Sequence, residues 1–123
     1  MSELFDKGQA MRRKVLGDAP VDRSLGDGDI WDSEIQQRVT QVAWGKVWSG
    51  EGLALRERSM ITLALLACIG NFEEFEVHLR ATVRTGASQR DVLEVIKHVA
   101  VYAGAPRALP AARVAKRVFA EIG

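Results

Sequence analysis

Apolar positions along this chain recur with the three-to-four-residue spacing of helices, and no stretch keeps up the strict alternation of a half-buried strand. The pattern predicts an all-α protein of about six helices separated by Gly, Pro and Asp punctuation. A first helix is expected from Glu3 to about Val15, with Ser2 as N-cap, Leu4, Phe5, Met11 and Leu16 apolar, and Gly17 as its stop. The stretch from Asp18 through Pro20 to Gly28 reads as a turn-rich connector. A second helix opens at Asp32 or Ser33, the latter forming a capping box with Gln36. It carries Ile35, Val39, Val42, Trp44 and Val47 as far as the break at Gly50 to Gly52.

The third predicted helix, Leu55 to Ile69, starts with Arg56, Glu57 and Arg58 and is then apolar on every face from Met60 onward. That pattern marks a helix buried at the centre of a fold. Gly70 ends it. The fourth runs on to Gly86 with Phe72, Phe75, Leu79 and Val83 as its core stripe. Ser88 and Asp91 open a fifth through Val92, Val95, Ile96 and Val99, which Gly104 and Pro106 stop. The last is expected from about Arg107 to Ile122 with Val114 and Phe119 inward, and Pro110 must lie in its first turn or kink it.

Composition narrows the reading. At 123 residues the chain has room for one domain, residues 1–123, with a core of its own. A chain that is 47% hydrophobic and 27% charged, with a formal charge of +1, gives no electrostatic reason to bind nucleic acid or an acidic membrane. The longest apolar run, Met60 to Ile69, is about half of what a bilayer span needs, and Glu3 and Asp6 stand where a secretory leader is basic. A cytoplasmic protein is expected. Cys68 is alone, which excludes an internal disulfide, and its apolar surroundings predict a buried, inert thiol.

Candidate chemistry gathers at His78, one of two histidines, set among Glu73, Glu74 and Glu76. It follows Glu74 by one turn, so the two side chains share a helix face, and it falls roughly 100° from the centre of the core stripe, at the edge of the buried face. Such a pair can move a proton near neutral pH. Glu76 reads as the partner of Arg80 at i, i+4, and His98 as structural. The two histidines and lone cysteine have no metal-ligand spacing.

The opening segment 3–25, the Trp44–Gly45 step, "LRERSMITLALL" at 55–66, "EFEVHLRATVRTG" at 74–86 and "VAVYAGAPRA" at 99–108 together resemble the carboxymuconolactone decarboxylase family, close relatives of the AhpD-type alkyl hydroperoxidase proteins. The resemblance implies a single-domain AhpD-like helical bundle that assembles as a homo-oligomer, a trimer or hexamer. An all-apolar third helix independently favours such an assembly. In the peroxidase-like branch a Cys-x-x-Cys pair precedes the matching histidine; those positions here are Asn71 and Glu74, and that branch's relay glutamate falls on Ser59, so the redox chemistry is lost.

What the resemblance implies instead is removal of CO2 from γ-carboxymuconolactone, giving the β-ketoadipate enol-lactone of protocatechuate degradation, without metal or organic cofactor because the lactone carbonyl is the electron sink. In that scheme His78 is the proton or hydrogen-bond donor. Glu74 orients it and favours its imidazolium form. Arg12, Arg13 and Arg58 are the candidates to hold the carboxylates of a small lactone dicarboxylate, and Trp44, with Trp48 and Tyr102, walls the pocket. Two other readings stay open: a non-catalytic oligomer of the same fold that binds a ligand, and a decarboxylase or hydrolase of another lactone. Retention of both Glu74 and His78 favours catalysis.

Overall fold

The computed structural model describes residues 2–123, all of whose regular structure is helical. The chain divides into two compact units, Met1–Leu53 and Ala54–Gly123.

The first unit comprises α1 (Glu3–Leu16), α2 (Asp18–Leu25), α3 (Ile30–Val39) and a π-helix, π1 (Thr40–Trp48), which continues directly from α3. The ends of α1 are those expected: the Ser2 hydroxyl accepts from the Phe5 amide at 3.1 Å, and the Gly17 amide donates to the Arg13 carbonyl at 2.9 Å. The expected connector is in fact partly helical. α2 begins immediately after Gly17, and Arg13 reaches across to Asp18 at 3.0 Å and Asp22 at 2.9 Å, which lie one turn apart on α2. α1 packs along π1, and the contact depends on two glycines. A Cβ on Gly8 would collide with the Thr40 carbonyl oxygen, and one on Gly45 would lie 2.7 Å from the Leu4 carbonyl oxygen.

The second helix of the sequence reading thus becomes two elements, and its N-cap is Asp29, whose carboxylate accepts from the Asp32 amide at 2.9 Å. Of the expected inward positions only Trp44 is buried; Ile35, Val39, Val42 and Val47 face outward. Val42 and Val47 lie in the π-helix, whose hydrogen bonds reach five residues back and put side chains out of the phase on which the α-helical stripe was counted, whereas Ile35 and Val39 belong to α3, which buries none of its residues. Trp44 and Trp48 stack in it, with ring centroids 4.8 Å apart and planes at 19°.

The second unit comprises α4 (Leu55–Ile69), α5 (Phe72–Arg80), α6 (Thr82–Thr85), α7 (Gln89–Tyr102) and α8 (Ala105–Ile122). Its core is formed where α4, α5, α7 and α8 meet, around Leu63, Phe75, Leu79, Val92, Val99 and Val118. The capping box of Ser88 and Asp91 forms as expected. Three expectations need correction. α4 is not covered on all sides: Ser59, Leu63 and Ala67 are its buried stripe, whereas Ile61, Leu65 and Ile69 are 48%, 61% and 69% exposed. The fourth predicted helix breaks at Ala81 into α5 and α6, which resets the phase and leaves Val83 exposed. Finally, α8 starts at Ala105, so Pro106 occupies its first turn and Pro110 lies in its interior.

Candidate active site

Asn71 caps α5 by accepting from the Glu74 amide at 3.2 Å, and the two-residue link Gly70–Asn71 turns α5 back along α4. Gly70 sits in the left-handed region, φ 77°, closing α4 with its amide on the Ala67 carbonyl. The apolar spacing of Phe75 and Leu79 then sets the inner face of α5, and His78, next to Leu79, is carried inward with them at 7% exposure.

Burial decides the chemistry of His78. Desolvation pushes its imidazole down to about 4, so the ring is neutral at pH 7 and the expected imidazolium does not form. The cause of the difference is Glu74, which lies a turn earlier but is exposed, leaving its carboxylate in water while the ring is withdrawn from it. A neutral imidazole keeps one N–H to donate and does not itself carry charge into an apolar site.

The other expected site residues are distributed over both units. Arg58 and His78 belong to the second. Arg58 is half-buried in the first turn of α4, and its carbonyl accepts from Thr62 Oγ1 at 2.8 Å. Arg12, Arg13 and Trp44 belong to the first. Arg12 is buried at 6% exposure, and its Nη1 donates to Gln36 Oε1 at 2.7 Å and Thr40 Oγ1 at 3.3 Å. Arg13 is held by Asp18 and Asp22, which fits a clamp between α1 and α2. Tyr102 is exposed and lies beside His98, ring centroids 6.4 Å apart.

Glu76 makes the expected pair with Arg80 at 2.9 Å and a second with Arg117 at 2.6 Å, while Arg80 also reaches Glu121 at 2.6 Å. Hydrogen bonds from Arg117 and Arg80 hold the Glu76 carboxyl down at about 2. The network fastens the helix of His78 to the C-terminal half of α8. Arg56, in the charged opening of α4, forms a two-pronged bond to Asp91 at 2.9 and 2.7 Å and joins the start of α4 to the start of α7. Ser59, the position of the peroxidase-like branch's relay glutamate, was not among the expected site residues. It is fully buried, and its hydroxyl has no hydrogen-bond partner among the described residues. The signal for it was available: Ser59 is the polar member of an i, i+4, i+8 series completed by Leu63 and Ala67.

Among the described residues no three His, Cys, Asp or Glu side chains gather as a metal-binding set, and no helix is long and apolar enough to cross a membrane.

Comparison with known proteins places this arrangement. The pattern of the Carboxymuconolactone decarboxylase family matches residues 33–117, a span that contains Ser59, Glu74 and His78. Over 121 residues the chain is 35% identical to a 4-carboxymuconolactone decarboxylase of Acinetobacter baylyi, covering 98% of this chain and 90% of that one. It is 32% identical over 116 residues to a nitrosuccinic acid decarboxylase of Metarhizium robertsii, covering 94% and 81%. A shorter match to a 4-carboxymuconolactone decarboxylase of Pseudomonas putida is 42% identical over 43 residues, 35% of this chain and 90% of that one. With its helical fold, its buried histidine and a family match across most of its length, the chain belongs to the carboxymuconolactone decarboxylase family.

Proposed function

We propose that this protein removes CO2 from γ-carboxymuconolactone, with His78 as the hydrogen-bond donor at the reacting centre. The observation that carries the reading is the similarity to the Acinetobacter baylyi decarboxylase over nearly the whole of both chains. When the C–C bond to the ring carboxylate breaks, its electron pair flows through the unsaturated lactone onto the carbonyl oxygen, and the resulting dienolate takes a proton on carbon from solvent water. The barrier falls if a donor already waits where that oxyanion develops. A neutral, buried imidazole supplies an N–H in a poorly solvated setting, where such a bond is strengthened and the carboxylate parts with CO2 more readily. Arg58, the one candidate arginine in the same unit, is assigned to a substrate carboxylate. Glu74 contributes little in this scheme, because its carboxylate is exposed and does not set the basicity of the ring.

The similarity to a nitrosuccinic acid decarboxylase supports a second substrate reading built on the same chemistry. There the nitro group, rather than a lactone carbonyl, accepts the electron pair. The uncovered apolar stripe of Ile61, Leu65 and Ile69 supports a homo-oligomer, read here as cytoplasmic.

The test is an ultraviolet assay of enzymatically generated γ-carboxymuconolactone, run beside nitrosuccinate, on wild type and on His78→Ala of verified fold. Lactone turnover that drops by roughly 10² to 10⁴-fold in the variant is expected. Turnover of nitrosuccinate alone would replace the substrate and keep the role of His78. No turnover of either would leave an enzyme of a different lactone or a non-catalytic ligand-binding protein.

A further inference from the structure

The second unit has four polar side chains buried to at least nine-tenths: Ser59, His78, Thr82 and Thr85. Thr82 donates to the Leu79 carbonyl at 2.6 Å, and the Thr85 hydroxyl accepts from the Ala87 amide at 3.5 Å. Ser59 stands apart from both threonines. A buried serine inside a helix ordinarily satisfies itself by bonding to a carbonyl one turn back. Thr62 does so on this same helix at 2.8 Å, as do Ser24 and Ser33 elsewhere in the chain at 3.0 and 2.7 Å. Ser59 does not take this escape: its Oγ is bonded neither to its own helix nor to any other described residue, although the side chain is 0% exposed.

A buried hydroxyl left unpaired is destabilising, and an alanine at the same place would avoid that cost. The position is otherwise an ordinary core position, since Leu63 and Ala67 continue the same stripe with purely apolar side chains. The serine therefore keeps a donor that the fold does not use. Ser59 lies in the second turn of a fifteen-residue helix and directly follows Arg58, the residue assigned above to a substrate carboxylate. It is also on the helix against which the helix of His78 packs.

We infer that Ser59 Oγ donates a hydrogen bond to the substrate, and specifically to the carboxylate that the reaction keeps. The inference rests on the decarboxylase reading above. A donor on the departing carboxylate would stabilise charge that the reaction discharges, holding the ground state down and slowing CO2 loss. A donor on the retained carboxylate acts equally in the ground and transition states, so its work is orientation and affinity.

The test is the steady-state kinetics of Ser59→Ala and Ser59→Cys on γ-carboxymuconolactone, together with their thermal midpoints. The cysteine keeps the shape of the side chain and weakens the donor. Both variants should raise KM by roughly 10- to 100-fold, the range for losing a bond to a charged group. Their kcat should stay within about threefold of wild type, as expected for uniform binding. Their midpoints should equal or exceed that of wild type, because the unpaired hydroxyl is gone. A substrate analogue in which a methyl group replaces the retained carboxylate should bind wild type and Ser59→Ala alike. An unchanged KM in an active variant overturns the inference alone. So does a lowered midpoint with unchanged kinetics, which would make Ser59 a structural residue. A wild type without turnover of the lactone removes the decarboxylase reading, and this inference with it.

Discussion

Burial of His78 makes the stability of the protein depend on pH in a window of its own. An ordinary histidine titrates near 6.5, and this one is pushed down to about 4 because the folded state withdraws the ring from water. Between those values the unfolded chain binds a proton at this position that the folded chain refuses. The contribution is therefore fully present above pH 6.5, declines as the pH falls, and is fully lost below about pH 4. At 1.36 kcal/mol per pH unit, the interval from 6.5 to about 4 corresponds to about 3 kcal/mol, of which about 2 kcal/mol is already lost at pH 5. The assay is urea unfolding at one protein concentration, at pH 7.5, 6, 5 and 4.5, of wild type and of His78→Gln, which cannot titrate. The readout is the change in stability with pH, since the substitution also alters packing. Wild type should lose about 2 kcal/mol more than the variant between pH 7.5 and pH 5. Parallel losses in the two proteins would refute the reasoning and restore an imidazole that titrates as if in water.

The other predictions concern the framework. Gly8→Ala should destabilise the protein by about 3 kcal/mol or more, read as a fall in thermal midpoint, because the added methyl collides with the Thr40 carbonyl of π1 and backbone must move. Glu76→Gln should cost about 1 kcal/mol at pH 7, a figure reduced for the partial exposure of the ion pairs. Because the Glu76 carboxyl is held down at about 2, its contribution is present above pH 4.5 and lost as the pH falls toward 2, so wild type and variant should converge in acid denaturation. Ser88→Ala breaks the capping box of α7 and should lower stability by about 1 kcal/mol in urea unfolding.

Features fixed within one turn of the chain were legible in the sequence. The caps at Ser2, Gly17, Gly70 and Ser88 form where their residue types predict, because a cap needs only its own helix, although α3 is capped by Asp29 and not by Asp32 or Ser33. α2 was not legible, since part of what holds it is Arg13 from another helix, bonded to two aspartates that read locally as turn residues. Periodicity also could not say which side of α4 is covered, because both the 59–63–67 and the 61–65–69 rows look suited to burial apart from one serine. At the site, the position of His78 followed from its spacing, whereas its protonation state did not. That state depends on how much of the fold surrounds the ring, which no local pattern records.

The π-helix has a consequence for how the chain can change in length. A π-helical segment carries about one residue more than an α-helix joining the same two points, so loss of a single residue between Thr40 and Trp48 can be absorbed by reverting to the tighter turn, with the flanking segments left in place. The same deletion in α4 finds no slack. It would rotate everything beyond it by about 100° and break the inward row of Ser59, Leu63 and Ala67. Related chains should therefore vary in length more freely at 40–48 than at 55–69, and an engineer shortening this protein should start in the first of these segments.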